Sequence, residues 1–385
     1  MTVAVDERTL RAVEATGGVG ADWALLVSPE VVFYASGLDV PLDLGPSPHA
    51  GGPSAAILTD QGEVTLVVED LQEEAAHASR ADHVVVVCGF APQPHARPLP
   101  VEYATAVMGA VEALDPGPLV AVEAGVLPEL LAQSLRAAGF SLLDASEELR
   151  RARAVKTAEE IDCLRACAEL TAAGQRAALE SARPEMTELE LFAEVRKVME
   201  AAAGRPLSIG VDLLSGVERS AQVMGGPSRR RLVRGDPIIC DLVPRHAGYW
   251  GDSCNTFVVE GEGSKAFAEL RQVVWHALER AVDTIRPGIS AGQLDREVRD
   301  VIEENGLSDP LHIGHGIGTA NSEYPRIVPG ATDALEAGMV LMVEPCAYIE
   351  EVGGVRLEWM FLVTETGNEV LSPYQHVAST VAATA

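Results

Sequence analysis

The sequence predicts an α/β domain followed by an α+β domain. Strand-like and helix-like segments alternate as far as Glu147, the pattern of a small α/β layer structure. Beyond that point the order changes to two helices followed by a carboxylate-bearing strand pair, and this order is stated twice. The repetition is one of pattern, with little residue identity behind it. Five potential metal ligands, Asp241, Asp252, His315, Glu344 and Glu358, fall in or beside apolar, β-prone segments of this second half. The expected domains are 1–147 and 148–385.

Residues 1–20 read as a short helix and a Gly-rich turn, followed by strands at Ala24–Ser28 and Val31–Ala35. The Gly/Pro-rich run 45–53 is a loop. Strands beginning at Ala55 and Glu63 flank Asp60-Gln-Gly62, a hairpin signal. His83–Cys88 and Leu119–Val122 are buried-strand candidates, with helical patterns at 101–113 and 128–138. After Lys156 a helix runs to about Ser181. Thr187-x-x-Glu190 is a capping signal for the next helix. A glycine-punctuated loop is expected over 208–230, then the strand of Asp241 and a strand from Asp252 to Val259. Helices at 263–284 and 291–305, a strand near His312–Gly316 and two strands carrying Glu344 and Glu358 complete the chain.

At 385 residues the chain is long enough for two cores. Its 47% apolar and 22% charged content reads as a soluble globular protein. A formal net charge of −28 argues against nucleic-acid or anionic-membrane binding. The N-terminus lacks a basic region followed by an apolar run, so no secretory leader is expected. No apolar run reaches the ~18–20 residues that span a bilayer. The six cysteines form no CxxC pair, so reduced thiols and a cytoplasmic location are expected.

Asp, Glu and His are the residues least expected in apolar strands unless they are paired or bound to metal. Four carboxylates and one imidazole suit two borderline-to-hard divalent cations such as Mn, Co, Fe or Zn. Buried together without a cation, the four acids would repel one another.

The flanking residues carry a resemblance. Gly235-Asp236 precedes the first ligand strand, and Gly248-Tyr249 precedes Asp252. Glu323-x-Pro325 follows Gly314-His-Gly316, and Gly354-Val-Arg356 precedes Glu358. Leu149-Arg then Lys156-x-x-x-Glu160-Ile161 resembles the entry to a catalytic domain. In these features the chain resembles the pita-bread-fold metallopeptidases of family M24, the Xaa-Pro aminopeptidases, prolidases and creatinase-like proteins. The resemblance implies an α/β creatinase-like N-terminal domain and an α+β pita-bread catalytic domain. It implies that Asp241 binds one metal in bidentate fashion, that Asp252 and Glu358 bridge two, and that His315 and Glu344 complete the other. Glu344 is then the general base. A homodimer and a small-molecule or dipeptide-like substrate are implied as well.

The Xaa-Pro enzymes of this family use two further histidines as hydrogen-bond donors. Met224 and Ser322 stand at those positions, and no His occurs from 184 to 245 or from 316 to 375. Loss of one such donor typically costs ~10²–10³ in rate. His246, in the loop between the two Asp ligands, is a candidate replacement; a surface histidine is the other reading. His312 matches a histidine that lines the pocket, either touching substrate or supporting a ligand. The candidate catalytic residues are thus Glu344, His312 and His246, and the candidate substrate contacts are Met224, Ser322, Arg356 and Tyr249. Cys254 and Cys346 stand beside ligands on a period-two pattern, as reactive thiols or as small buried hydrophobes. With Asn255, Met224, Cys346, Trp250 and Trp359 replacing smaller or charged groups, a less charged and bulkier pocket is expected. His49 and His95 lie in Pro/Gly-rich loops and take no role.

The first functional expectation is a dinuclear-metal hydrolase of a small amide or peptide-like substrate. The second keeps the metals but changes the reaction, to a lyase or a specialised C–N hydrolase of secondary or osmolyte metabolism. The third is a non-catalytic binding protein.

Overall fold

The computed structural model describes residues 5–40, 51–91 and 97–372. His49 and His95 lie outside them. The chain divides into two compact units, Met1–Arg153 and Ala154–Ala385.

The first unit runs α1 (Glu7–Gly18), β1 (Trp23–Leu26), α2 (Pro29–Ser36), β2 (Ala55–Thr59), β3 (Val64–Glu69), α3 (Glu73–His77), β4 (His83–Val87), α4 (Leu99–Leu114), β5 (Leu119–Val122), α5 (Glu129–Ala137), β6 (Ser141–Asp144) and α6 (Ser146–Ala152). Its strands form one mixed sheet in the order β4-β3-β2-β1-β5-β6. Alternation sends Ala24, Leu26, Leu58 and Leu66 to one face, against Ala12, Val32 and Leu149 of α1, α2 and α6. Leu25, Ile57 and Val67 face the other way, onto Tyr103, Val107, Leu131 and Leu135 of α4 and α5. The result is a three-layer α/β/α unit.

In the first unit one expected strand is corrected. Val31–Ala35 is helix, not strand. The Ser28 side chain accepts the Val31 N–H, Pro29 occupies the first helical turn, and Gly37 ends the helix at φ 77°. These caps override the β preference of the two valines.

The second unit opens with α7 (Ala158–Ser181) and α8 (Glu188–Ala203). Both begin with reciprocal capping boxes, Thr157/Glu160 and Thr187/Glu190. Then come β7 (Ser208–Ser215), α9 (Gly216–Ser220), β8 (Pro237–His246), β9 (Tyr249–Trp250) and β10 (Cys254–Val258). The 208–230 segment is therefore not all loop. Gly210 and Asp212 interrupt its apolar pattern, yet residues 208–215 pair with β8 throughout.

The order then recurs: α10 (Lys265–Thr284), α11 (Ala291–Glu304), β11 (Gly314–Gly316), β12 (Glu323–Ile327), β13 (Val340–Val343), β14 (Cys346–Ile349), β15 (Gly353–Arg356), β16 (Trp359–Val363) and β17 (Asn368–Val370). One sheet is β10-β8-β7 with β9 on β8, the other is β12-β11-β13-β16-β17, and β14 and β15 pair separately.

Each larger sheet presents one face to a helix pair. Cys240, Leu242 and Phe257 pack on Leu170 and Ala178 of α7 and Leu191 and Val195 of α8. Leu341, Val343 and Phe361 pack on Val274 and Leu278 of α10 and Leu294 and Val298 of α11. By alternation Asp241 lies on the face away from α7 and α8. His315, opposite Met342 across the ladder, lies on the face away from α10 and α11. The Thr256 hydroxyl ties β10 to β15: it donates to Arg356 O at 2.8 Å and accepts from Arg356 N at 3.0 Å. The Glu358 N–H also donates to Cys254 O at 2.9 Å.

Candidate metal centre and active site

Of the expected ligands, only Asp241 and His315 lie within strands. Asp252 sits in the turn between β9 and β10, Glu344 between β13 and β14, and Glu358 between β15 and β16. Pro345 has no N–H to continue the ladder after Glu344. The Glu358 N–H leaves the β15 hairpin for Cys254 O, so the chain changes partner at the ligand.

The glycines beside His315 have a packing cause. A Cβ on Gly314 would strike Met342 O, and one on Gly316 would strike Tyr324 O. Only glycine lets β11 lie this close to β13 and β12. The ring of His315 is fixed by Nδ1, 2.9 Å from Gly316 O. A carbonyl only accepts, so Nδ1 carries the proton and the Nε2 lone pair is presented to the carboxylates. Nε2 lies 3.6 Å from Glu344 Oε1 and 4.0 Å from Asp252 Oδ2.

Two groups of donor atoms result. Asp252, His315 and Glu358 bring one ligand atom each within 4.8 Å of one another, as do His312, His315 and Glu344. His315 belongs to both. Asp252, Glu358, Glu344 and His315 are all buried. Burial and, behind it, the neighbouring acids push the Asp252 and Glu358 carboxyls well above their ordinary range. Burial lifts Asp241 to about 6, against the pull of Arg356. Burial lowers His315, against the pull of Glu344. Asp241 Oδ1 and Asp252 Oδ1 are buried and accept no hydrogen bond. Buried acceptors without donors cost free energy that a cation would recover. The residues therefore fit divalent cations in type, placement and unmet need.

Arg356 reaches across to the first ligand. Its Nη2 donates to Asp241 Oδ2 at 2.6 Å and to Asp212 Oδ2 at 2.8 Å, and Nη1 donates to Val223 O at 3.0 Å. Nε points at Cys254 Sγ, 3.5 Å away. Burial acts to lower the Arg356 pKa, but Cys254, Asp241, Tyr348 and the Asp212 hydrogen bond outweigh it, and the guanidinium stays charged. His312 Nε2 lies 2.7 Å from Glu344 Oε1.

The comparisons with known proteins agree with this geometry. Residues 162–365 match the model of metallopeptidase family M24. The chain belongs to that family. Residues 8–155 match the creatinase/prolidase N-terminal domain, which with the second unit completes a creatinase-type and pita-bread architecture. A Xaa-Pro dipeptidase of Pyrococcus furiosus is 30% identical over 347 residues, 89% of this chain and 92% of the relative. A Xaa-Pro dipeptidase of Pyrococcus horikoshii is 28% identical over 374 residues, 96% and 97% of the two chains. The solved prolidase of P. horikoshii superposes with a TM-score of 0.81 at 26% identity, covering 95% of this chain and 98% of its own. The prolidase of P. furiosus gives 0.77 at 28% identity, covering 94% and 98%. The chain is accordingly an M24 metal-dependent hydrolase.

Not every expected residue of this M24 site is brought to it. Arg356 is there but only 2% exposed, with its N–H groups committed to the protein rather than to a substrate. Tyr249 is buried, its hydroxyl donating to Glu160 Oε1 of α7 at 3.4 Å. His246 ends β8 at the Ala247-Gly248 turn, five residues along the strand from Asp241 and hence on the opposite face. Ser322 is exposed and precedes Glu323, whose carboxylate takes the buried Lys156 ammonium at 3.1 Å and the Thr319 hydroxyl at 3.1 Å. Met224 is 72% exposed, between Val223 and Gly225.

The expected bulky pocket changes too. Trp359 points into the core, its ring 5.4 Å edge-on from Trp275. Asn255 shares the helix-facing side of its strand with Phe257. Cys346 Sγ lies 3.1 Å from Asp309 Oδ1, whose other oxygen accepts the Cys346 N–H at 3.0 Å. Burial raises both thiols, Cys254 and Cys346, well above their ordinary range, which fits the reading of small buried groups.

Asp212 and Asp309 were not singled out by sequence. A carboxylate in an otherwise apolar strand, as at Asp212, was the signal available, and it is the same signal that marked Asp241.

Proposed function

We propose that the chain is a dinuclear-metal hydrolase acting on a small amide or dipeptide-like substrate, and that it works as a cytoplasmic homodimer. The observation that supports a metal pair is the cluster of buried ligand atoms on Asp252, His315, Glu344 and Glu358, beside oxygens of Asp241 and Asp252 that lack hydrogen-bond donors; the single Nε2 lone pair of His315 would serve one metal only. The donor set of carboxylates with imidazole suits Mn, Co, Fe or Zn, with Mn favoured by the oxygen majority. When bound, such a pair supplies Lewis-acid polarisation of the scissile carbonyl and an acidified water.

The chain's own residues do the rest. Glu344 takes the proton of the attacking water and passes it to the leaving nitrogen. His312, about a third exposed at its side chain, holds Glu344 Oε1 and is more open to solvent than His315. His315 presents its Nε2 lone pair to the Glu344 and Asp252 carboxylates because Gly316 O holds its other nitrogen, and there it would hold one cation. Arg356 opposes the burial that raises the Asp241 carboxyl. The six cysteines are free, in keeping with a reducing compartment.

The relatives named Xaa-Pro dipeptidase support an X-Pro dipeptide as the starting substrate. Met224 and Ser322 in place of donor histidines favour a second reading, an amide lacking the zwitterionic ends of a dipeptide. The test is an assay of the Mn-loaded chain on X-Pro dipeptides and on neutral N-acyl amides, beside a standard prolidase. Turnover of X-Pro dipeptides comparable to that enzyme supports the first reading. Turnover confined to the neutral amides supports the second, and turnover of neither class contradicts both. Light scattering reads the oligomer.

A further inference from the structure

Asp212 faces Asp241 directly across the β7–β8 ladder. Cross-strand partners point to the same side, and like charges so placed destabilise a sheet. Arg356 resolves the conflict, since its Nη2 lies between the two carboxylates at 2.8 Å and 2.6 Å. The second oxygen of Asp212 accepts the Gly225 N–H at 2.9 Å, Arg356 Nη1 donates to Val223 O at 3.0 Å, and the Leu213 N–H donates to Gly225 O at 3.0 Å. One aspartate thus ties three things together: the arginine on a metal ligand, the strand beside that ligand, and the backbone on either side of Met224.

We propose that Asp212 is a positioning residue of the metal centre, which divides the charge of Arg356 and so leaves Asp241 negative enough to hold a divalent cation. Without Asp212 the whole of the Arg356 charge falls on Asp241, where it competes with the cation. The same carboxylate also sets the 223–225 backbone through the Gly225 N–H. This inference rests on the reading of the ligand group as a metal centre given above.

The experiment is calorimetric titration of the full chain with Mn²⁺, comparing wild type with Asp212→Asn, alone and on an Arg356→Ala background. Asparagine keeps the shape and an oxygen for the Gly225 N–H. Asp212→Asn is expected to weaken Mn²⁺ binding ~10–100-fold, the usual effect of removing a group that orients a ligand. On the Arg356→Ala background the same change is expected to have no further effect, because Asp212 acts through the arginine. Arg356→Gln, which removes the charge but keeps most of the bulk, serves the same comparison if Arg356→Ala does not fold. Unchanged Mn²⁺ affinity in Asp212→Asn, or an equal loss on both backgrounds, overturns the proposal while leaving the metal centre standing. A wild-type chain that binds no Mn²⁺ overturns both.

Discussion

His312 Nε2 lies 2.7 Å from Glu344 Oε1, so the most exposed imidazole of the site is bound to its proposed general base. The contact is within the range of a charge-assisted hydrogen bond. His312→Ala is expected to lower kcat ~10²–10³-fold on whichever substrate is turned over, the usual scale for a lost positioned donor. Elemental analysis of the same variant should still find metal, because Asp252, His315 and Glu358 remain. Unchanged kcat would remove His312 from the mechanism.

The metal-free chain should lose stability as pH rises. Asp241 is raised to about 6 by burial, and burial with the neighbouring acids raises Asp252 and Glu358 well above their ordinary range. A carboxyl whose folded pKa exceeds its unfolded value stabilises the fold fully below about pH 4 and loses that contribution as pH climbs through the folded value. His315, lowered by burial, works the other way: it favours the fold above about pH 6.5, and that contribution falls off below it. Three carboxyls outweigh one imidazole, so Tm of the chelator-treated chain should fall as pH climbs from about 4 through about 6. Mn²⁺ should flatten or reverse this trend, since binding requires the ligands to deprotonate. A Tm that rises over the same range without metal would contradict the picture of the site.

Trp359 supports the fold and not the pocket. It is 6% exposed and packs edge-on against Trp275 of α10. Trp359→Ala should cost about 3–5 kcal/mol of stability in denaturant melts. KM of the folded variant should be unchanged; a large KM shift would bring the side chain back to the substrate.

Lys156 and Glu323 form a buried ion pair at 3.1 Å, and Glu323 also accepts the Ala320 N–H at 3.0 Å. The pair holds the segment that follows His315. Lys156→Ala leaves a buried carboxylate uncompensated and should destabilise the chain by about 3–5 kcal/mol. A change below about 1 kcal/mol would place the pair among those that solvent screens.

The long helices and the buried acids and imidazole of the second unit were legible because their signals are local or chemically rare. Thr187-x-x-Glu190 announces a helix start by itself, and acids in apolar strands have few structural explanations. What was not legible depends on contacts far apart in sequence. Val31–Ala35 reads as strand until the Ser28 cap is seen to close. Asp212 acquires its meaning from Arg356, 144 residues away. Trp359 looks like a pocket residue next to Glu358 until alternation and Trp275 turn it into the core. Arg356 likewise reads as a substrate anchor until its donors are found to be occupied.

Metal stoichiometry tests the central claim most directly. The full chain, saturated with Mn²⁺ and freed of loosely held metal, is measured by elemental analysis beside Glu358→Ala. Two metals per chain are expected for the wild type, with at least one lost in the variant, because Glu358 shares its donor group with both Asp252 and His315. No more than trace metal in the saturated wild type would contradict the account.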